Sequence, residues 1–169
     1  MGGIQWSDLR YLRVLHCDVD GNTIVGELVC HKSIAEDLME IFMALYQAGY
    51  PIEKMRLVEE YGGDDQISMC DNNTSCFNQR LVPSGGTISK HSYGMAIDIN
   101  PRYNPYYLKR NEYKTIIEPP ESAEYLDRTA DFPYKIVKGD LCYRLFKKHG
   151  FYWGGDWTKG KDYQHFHKH

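Results

Sequence analysis

A carboxylate inside an apolar segment is the feature that most constrains the fold of this chain. Residues 95–100 have the sequence Met-Ala-Ile-Asp-Ile-Asn. The alternation predicts a short buried strand in which Ile97 and Ile99 point to one side and Asp98 to the other. Because a buried carboxylate without a partner is very costly, Asp98 has to meet a cation or several hydrogen-bond donors. The fold must therefore bring such groups to this strand.

Two histidines and a second carboxylate are candidates for the groups around Asp98. His91 precedes a glycine turn at Gly94 and can fold back beside the strand, and His165 can supply a third ligand from the C-terminal segment. Imidazole nitrogens and carboxylate oxygens suit Zn²⁺, and three protein ligands leave a fourth position for water, as in catalytic zinc sites. Asp162 is close enough in sequence to His165 to accept a proton without coordinating the metal. The joint pattern therefore favours one catalytic zinc ion.

Taken singly, each of these residues has an ordinary structural alternative. His91 could be a hydrogen-bonded loop histidine, and Asp98 could cap a turn or pair with Arg80 or Arg102. Asp162 could be a solvated carboxylate. His165, His167 and His169 could belong to a His-rich tail.

The strings that carry the pattern are SKHSYGMAIDIN at 89–100, GGDW at 154–157 and DYQHF at 162–166. They resemble the M15 family of metallopeptidases, which comprises D-alanyl-D-alanine carboxypeptidases and dipeptidases and L-alanyl-D-glutamate endolysins. The family pattern S-x-H-x-x-G-x-A-x-D, with an acidic residue three positions before a later His, is fully matched. The resemblance covers roughly residues 75–167. It implies that His91, Asp98 and His165 bind zinc and that Asp162 is the general base.

The resemblance also implies roles outside the metal ligands. Segment 74–80 resembles one that ends in an active-site Arg, so Arg80 would stabilise the charged oxygen of the tetrahedral intermediate or hold a substrate carboxylate. The alternative for Arg80 is a structural salt bridge. His167 departs from the family, which often has an acidic residue there, and is either a second imidazole near the site or an exposed tail residue. The candidate substrate-binding residues are Ser89, Tyr93, Tyr103 and Trp157.

The substrate that the resemblance implies is the peptide stem of bacterial peptidoglycan. The Arg80 segment and the Asn-Pro-rich stretch 100–105 favour the terminal D-Ala-D-Ala bond, and the L-Ala-D-Glu bond is the alternative. A hypothesis of another class is a zinc-containing cell-wall-binding module without activity. The hedgehog signalling domain, which the chain resembles only in fold, keeps a zinc site and serves as a binding module.

Charge and hydropathy disfavour other classes of partner. The 169 residues have a formal net charge of −3, which gives no support for nucleic acid or an anionic membrane surface. No apolar run is long enough for a membrane span. No signal peptide is visible, although a location outside the cell or at a bacterial cell wall is expected, and a monomer is expected as well. Among the five cysteines, either Cys70 and Cys76 form a disulfide or all are free.

The local patterns predict an α+β fold with one domain, residues 1–169, and a motif-bearing core at about 75–167. A central antiparallel sheet flanked by helices is expected, similar to the hedgehog and DD-peptidase fold. The hairpin predicted over 9–30 has its turn centred on Gly21-Asn22, which would pair Cys17 with Gly26.

Helices are predicted over 33–48, with a capping box of Ser33 and Glu36 and a terminating Gly49, and over 140–149, with Asp140 as cap. Residues 55–58 are a candidate strand, and residues 60–90 are expected to be mostly loop. Residues 101–134 are expected to be extended, with one helical turn near 122–126. The last segment, 151–169, is predicted to form a strand, a turn and a second strand.

Overall fold

An antiparallel hairpin opens the fold, in a computed structural model that describes residues 4–79 and 88–169. Strands β1 (Leu9–Cys17) and β2 (Thr23–His31) pair along their whole length. The predicted register is wrong, because Cys17 lies opposite Thr23 and Gly26 lies opposite Val14. The cause is a five-residue loop in which the Asp18 carboxylate accepts hydrogen bonds from the backbone N–H groups of Asp20 and Asn22.

Helix α1 (Ala35–Gln47) packs against this hairpin. Its apolar residues recur at helical spacing and form one buried face. Gly49 adopts a φ of +68°, which confirms the predicted C-terminal cap. The predicted capping box is wrong, since a 3₁₀ turn (Lys32–Ile34) precedes the helix and the Ser33 hydroxyl bonds to the His31 ring instead. The buried face of α1 consists of Leu38, Ile41, Phe42 and Leu45.

The segment between α1 and the motif region differs from the prediction in two places. Residues 55–58 form no strand, and a 3₁₀ turn spans Val58–Tyr61. Helix α2 (Asp65–Cys70) lies where loop was expected, and the Asp64 side chain caps it by accepting from the Ile67 N–H. The five cysteines are all free, so the alternative of a Cys70–Cys76 disulfide is not realised.

Within residues 4–79 and 88–169, the strands form three antiparallel sheets rather than one central sheet. The first is the β1–β2 hairpin, the second has the order β3–β8–β6, and the third has the order β5–β4–β7. The remaining strands are β3 (Ala96–Asp98), β4 (Tyr106–Lys109), β5 (Thr115–Glu118), β6 (Tyr152–Trp153), β7 (Lys161–Asp162) and β8 (His165–His167). Together with the helices they give the α+β class that the sequence predicted.

The excursion between β3 and the last helix contains more structure than predicted. Strands β4 and β5 form a hairpin within it, and a 3₁₀ segment spans Pro120–Leu126, close to the predicted helical turn. The buried Asn104 ties the segment together: its Nδ2 donates to the carbonyls of Asn100 and Tyr134, and its Oδ1 accepts from the Ile136 N–H. Such side-chain bonds replace the missing sheet ladder.

Helix α3 (Leu141–Lys148) is capped by Asp140, whose carboxylate accepts from the Tyr143 N–H, as predicted. Its buried Phe146 stacks on Phe166 of β8, with ring centroids 4.3 Å apart. This contact anchors β8 in the core and thereby fixes one wall of the candidate site. No helix among the described residues is long and apolar enough to cross a membrane.

Candidate metal centre

Strand pairing brings two of the predicted ligands together. Asp98 at the end of β3 lies directly opposite His165 at the start of β8. Partner residues of an antiparallel pair project from the same face, so the carboxylate and the imidazole meet. The Nδ1 atom of His165 lies 3.2 Å from Oδ1 of Asp98.

The third predicted ligand, His91, comes from a 3₁₀ turn (Lys90–Tyr93) just before β3. The Ser89 hydroxyl caps this turn by accepting from the His91 N–H, 3.2 Å away. Gly94 ends the turn with a φ of +65°, and a Cβ there would lie 2.6 Å from the backbone nitrogen of His31. Only glycine avoids both the strain and the clash, which explains the spacing between His91 and the strand.

The two imidazole nitrogens and the Asp98 carboxylate form a small triangle. Nε2 of His91 lies 3.1 Å from Oδ2 of Asp98 and 3.3 Å from Nδ1 of His165. Tetrahedral zinc with bonds of about 2.0–2.1 Å would require ligand atoms about 3.3 Å apart. The side chains are also buried, with relative exposures of 2% for His91, 3% for Asp98 and 8% for His165. The spacing and the donor types therefore fit a divalent metal ion.

The tautomer of His91 favours a cation in this triangle. Its Nδ1 lies 2.7 Å from the carbonyl oxygen of Cys76, which can only accept, so Nδ1 carries the proton. Nε2 then faces the oxygens of Asp98 and Nδ1 of His165. Acceptor atoms this close require a proton or a metal ion between them. The Cys76 carbonyl orients the ring in the way that metal-binding histidines usually require.

The electrostatics of Asp98 agree with this arrangement. Burial alone would raise its pKa, but the His91 charge and the hydrogen bonds from His165 and His91 outweigh burial and hold the pKa far below its ordinary value. Asp98 therefore remains an anion across the physiological range and suits a cationic partner.

The predicted base, Asp162, lies at the end of β7 and belongs to a different sheet from the ligands. It pairs with Tyr106 of β4. The 3₁₀ turn Gly154–Asp156 packs against its backbone, because a Cβ on Gly154 would come 2.5 Å from the Asp162 carbonyl oxygen. The same turn leads to Trp157, whose ring centroid is 5.5 Å from that of His165. This turn thus connects the sheet of the base with the sheet of the ligands.

A sequence family described as D-alanyl-D-alanine carboxypeptidase, one of the M15 peptidases, matches residues 83–168, about half of the chain. The chain belongs to the M15 peptidase family. No curated protein and no solved structure matches it. The family is metal-dependent, and the buried group of His91, Asp98 and His165 is the set of residues in the described chain that could hold the metal.

Other predicted site residues of this M15 peptidase have different surroundings. Ser89 is buried and caps the His91 turn, whereas Tyr93 is 37% exposed beside it. Tyr103 packs in an aromatic cluster with Tyr125, Phe132 and Tyr134. Their substrate-binding roles, like that of Trp157, stay predictions. Arg80 lies outside the described residues and outside the matched range.

His167 is not the exposed tail residue that the sequence allowed. Its ring stacks on Tyr152, with centroids 5.6 Å apart and an interplanar angle of 21°, and lies 5.2 Å from the His165 ring. The Cys76 carbonyl was missed in the sequence, because no side-chain signal exists for it. Gly154 was part of the GGDW string, but no role was assigned to it. The adjacent pair Gly154-Gly155 was a usable signal, since paired glycines often mark a close backbone approach.

Proposed function

We propose that this chain is a zinc peptidase that hydrolyses peptidoglycan stem peptides, with the D-alanyl-D-alanine carboxypeptidase activity of its matched family. The observation that supports this best is the buried cluster of two imidazole nitrogens and the Asp98 carboxylate. One carboxylate oxygen lies 3.1 Å from Nε2 of His91, the other lies 3.2 Å from Nδ1 of His165, and the two nitrogens are 3.3 Å apart. The donor set and spacing favour zinc over the harder Ca²⁺ and Mg²⁺, which prefer oxygen ligands.

The chain's own residues would divide the chemistry between them. A bound zinc ion would supply Lewis acidity, polarising the scissile carbonyl and acidifying the attacking water. Asp162 would accept the proton of that water and pass it to the leaving amine. Arg80 would stabilise the negative charge that develops on the carbonyl oxygen, as the family resemblance implies.

The residues around the ligands would keep this geometry fixed. The Cys76 carbonyl holds the His91 tautomer, and the pairing of β3 with β8 holds Asp98 against His165. Preorganisation of this kind favours catalysis because little reorganisation remains for the reaction step. Trp157, beside His165, would form part of the wall that shields the site from bulk water. We further propose that the chain acts as a single-domain monomer, secreted or bound to a bacterial cell wall.

The test combines metal analysis with product analysis. The purified protein should contain about one equivalent of zinc, and incubation with stem pentapeptide should release free D-Ala, detected by mass spectrometry. A fragment that begins at D-Glu would instead identify an endopeptidase. Retention of zinc with no cleavage of either bond would favour a non-catalytic binding module.

Two variants test the assigned roles separately. Asp162→Asn should keep zinc and lose hydrolysis by at least about 100-fold, within the range for a general base. His91→Ala should lose both zinc and activity. If Asp162→Asn hydrolyses the peptide at the wild-type rate, Asp162 is not the base.

A further inference from the structure

One face of the β5–β4–β7 sheet extends away from Asp162. Tyr106 of β4 lies opposite both Glu118 of β5 and Asp162 of β7, so these three side chains share a face. Two residues further along the hairpin, Leu108 lies opposite Ile116 on the same face. We call the hairpin of residues 106–118 the arm.

The far end of this face is cationic. The Arg110 N–H donates to the Lys114 carbonyl at 2.9 Å, which continues the ladder by one more residue pair beyond Lys109 and Thr115. Side chains alternate along a strand, so Arg110 and Lys114 fall on the face of Leu108 and Tyr106. The pKa of Tyr106 supports this placement: burial and the charges of Asp162 and Glu118 raise it, and Arg110 opposes them. The charge of Arg110 is therefore felt on the Asp162 face.

The chemistry along the face changes in one direction. It starts at the Asp162 carboxylate, crosses half-buried Leu108 and Ile116, and ends at Arg110 and Lys114. Four residue steps, from Tyr106 to Arg110, separate its two ends, which corresponds to about 13 Å at roughly 3.3 Å per residue. Two cations at this end contrast with a chain whose net charge is −3. An occupant with an apolar or neutral middle and an anionic group at the far end would match this face.

We infer that this face of the arm binds the substrate peptide, and that Lys114 with Arg110 recognises a carboxylate about four extended residues from the cleaved bond. The inference rests on the proposed function, in which Asp162 lies at the cleaved bond. It adds to that function a preference for peptides that carry a carboxylate at a defined distance from the cleaved bond. Lys114 is exposed and Arg110 lies at the surface, so the expected contribution is that of a solvated ion pair.

The test uses binding as well as hydrolysis. Fluorescein-labelled peptides carry Glu or Gln at the second, third, fourth or fifth residue on the N-terminal side of the scissile bond, and their Kd is measured by anisotropy on zinc-loaded Asp162→Asn. We expect the Glu peptides to bind about two- to five-fold more tightly than their Gln partners at the fourth residue. Lys114→Gln in the same background should abolish that preference, and raised salt should weaken it.

Lys109→Gln is the matched control. Lys109 is the last residue of β4 and carries the same charge as Lys114, but its side chain alternates to the opposite face of the arm. Its loss should therefore leave the Glu-over-Gln preference intact. Equal loss of the preference in Lys109→Gln and Lys114→Gln would mean a general charge effect and would overturn the inference. Absence of any Glu preference at all four positions would overturn it as well.

Failure of the proposed function gives a different result from failure of this inference. If the wild-type protein cleaves no peptide but the Glu preference exists and depends on Lys114, the arm binds acidic peptides and the catalytic proposal is wrong. If the protein cleaves stem peptides with no such preference, the catalytic proposal stands and the inference about the arm is wrong.

Discussion

Gly154 lies directly against Asp162. A Cβ placed on Gly154 would come 2.6 Å from the Cβ of Asp162 and 2.5 Å from its carbonyl oxygen, closer than real contacts allow. Gly154 follows β6, which belongs to the sheet of the ligands, whereas Asp162 belongs to the sheet of the arm. The absence of a side chain at this one position therefore allows the turn after β6 to lie directly against the proposed base.

Replacing Gly154 by Ala should displace Asp162 while leaving the three ligands in place. We expect kcat to fall by at least about ten-fold, because misplacing a catalytic group by about 1 Å can cost up to 100-fold. Zinc content should remain near one equivalent. The acidic limb of the pH profile of kcat/KM, which reports the pKa of the base in the free enzyme, should also shift.

Gly155→Ala provides the comparison for this prediction. A Cβ on Gly155 would meet the ring of Trp153 at 2.4 Å rather than Asp162, so the variant should lose stability without moving the acidic limb. If both variants lose kcat in proportion to their loss of Tm, and neither moves the pH profile, Gly154 has only a structural role.

Asp98→Asn should weaken metal binding without unfolding the site. The amide lacks the negative charge that the two imidazoles face, and an amide is a poorer zinc ligand than a carboxylate. We expect the zinc affinity, measured by competition with a chelator, to fall by at least about 100-fold, more than typical losses at outer-shell partners. Asp156→Asn, which removes a carboxylate that pairs with Lys138, should retain wild-type affinity.

His16 should make the stability of the fold pH-dependent. Its side chain is only 1% exposed, and Nε2 has no hydrogen-bond partner among the described residues. Burial lowers the pKa of His16, and the bond of Nδ1 to the Ile52 carbonyl opposes this only in part. The unfolded chain therefore takes up a proton that the folded chain does not. The contribution of neutral His16 to the unfolding free energy is fully present above the ordinary pKa of about 6.5. It declines as the pH falls from there towards the lower pKa of the folded state.

His16→Asn would remove this titration. The Asn amide would still offer a donor to the Ile52 carbonyl, whose oxygen lies 2.7 Å from Nδ1 of His16. We expect urea denaturation of the metal-free protein between pH 7.5 and 5.5 to show a smaller loss of unfolding free energy for the variant. The difference can reach at most about 1.4 kcal/mol per pH unit. Parallel pH curves for the two proteins would show that His16 does not titrate between the folded and unfolded states.

Arg128 should be essential to the segment between β3 and α3. Its guanidinium lies over the Tyr163 ring at 4.4 Å and donates to four oxygens of this segment. We expect Arg128→Met to lower the unfolding free energy by roughly 2–4 kcal/mol, because buried acceptors lose their donors. Arg128→Lys should recover little, since an ammonium cannot reproduce the planar fork. The four acceptors are the carbonyls of Tyr103, Tyr125 and Ile136 and Oδ1 of Asn104.

A stability of the Lys variant close to that of the wild type, measured by urea denaturation, would contradict this role for Arg128. The position of the guanidinium also matters for the site, because Tyr163 adjoins Asp162. A loss of stability with unchanged kcat in Arg128→Met would restrict its role to the fold.

Local signals predicted some parts of the structure well. Asp140 caps α3, and Gly49 ends α1, because caps depend on residues within one helical turn. The predicted capping box at Ser33 does not form, because the Ser33 hydroxyl bonds to the ring of His31, two residues earlier in the chain. Helix α2 was missed since its six residues carry little periodicity and depend on Asp64 and on packing.

The hairpin register shows a different limit. The Asp-Gly-Asn signal correctly indicated a turn, but the loop has five residues because Asp18 bonds across it. The arm was missed because its two strands have four residues each and lie within a proline-rich segment. Short strands are stabilised by their neighbours, here β7, which is remote in sequence.

The sequence by itself determined the kinds of candidate ligand, the family, and the need for a cation or several hydrogen-bond donors beside Asp98, because these follow from residue types and short spacings. The tertiary structure decided how they meet. Strand pairing placed Asp98 opposite His165, the Cys76 carbonyl selected the tautomer of His91, and Gly154 allowed the turn after β6 to lie against Asp162. Contacts between segments this far apart depend on packing and burial across the whole fold, which local spacing does not specify.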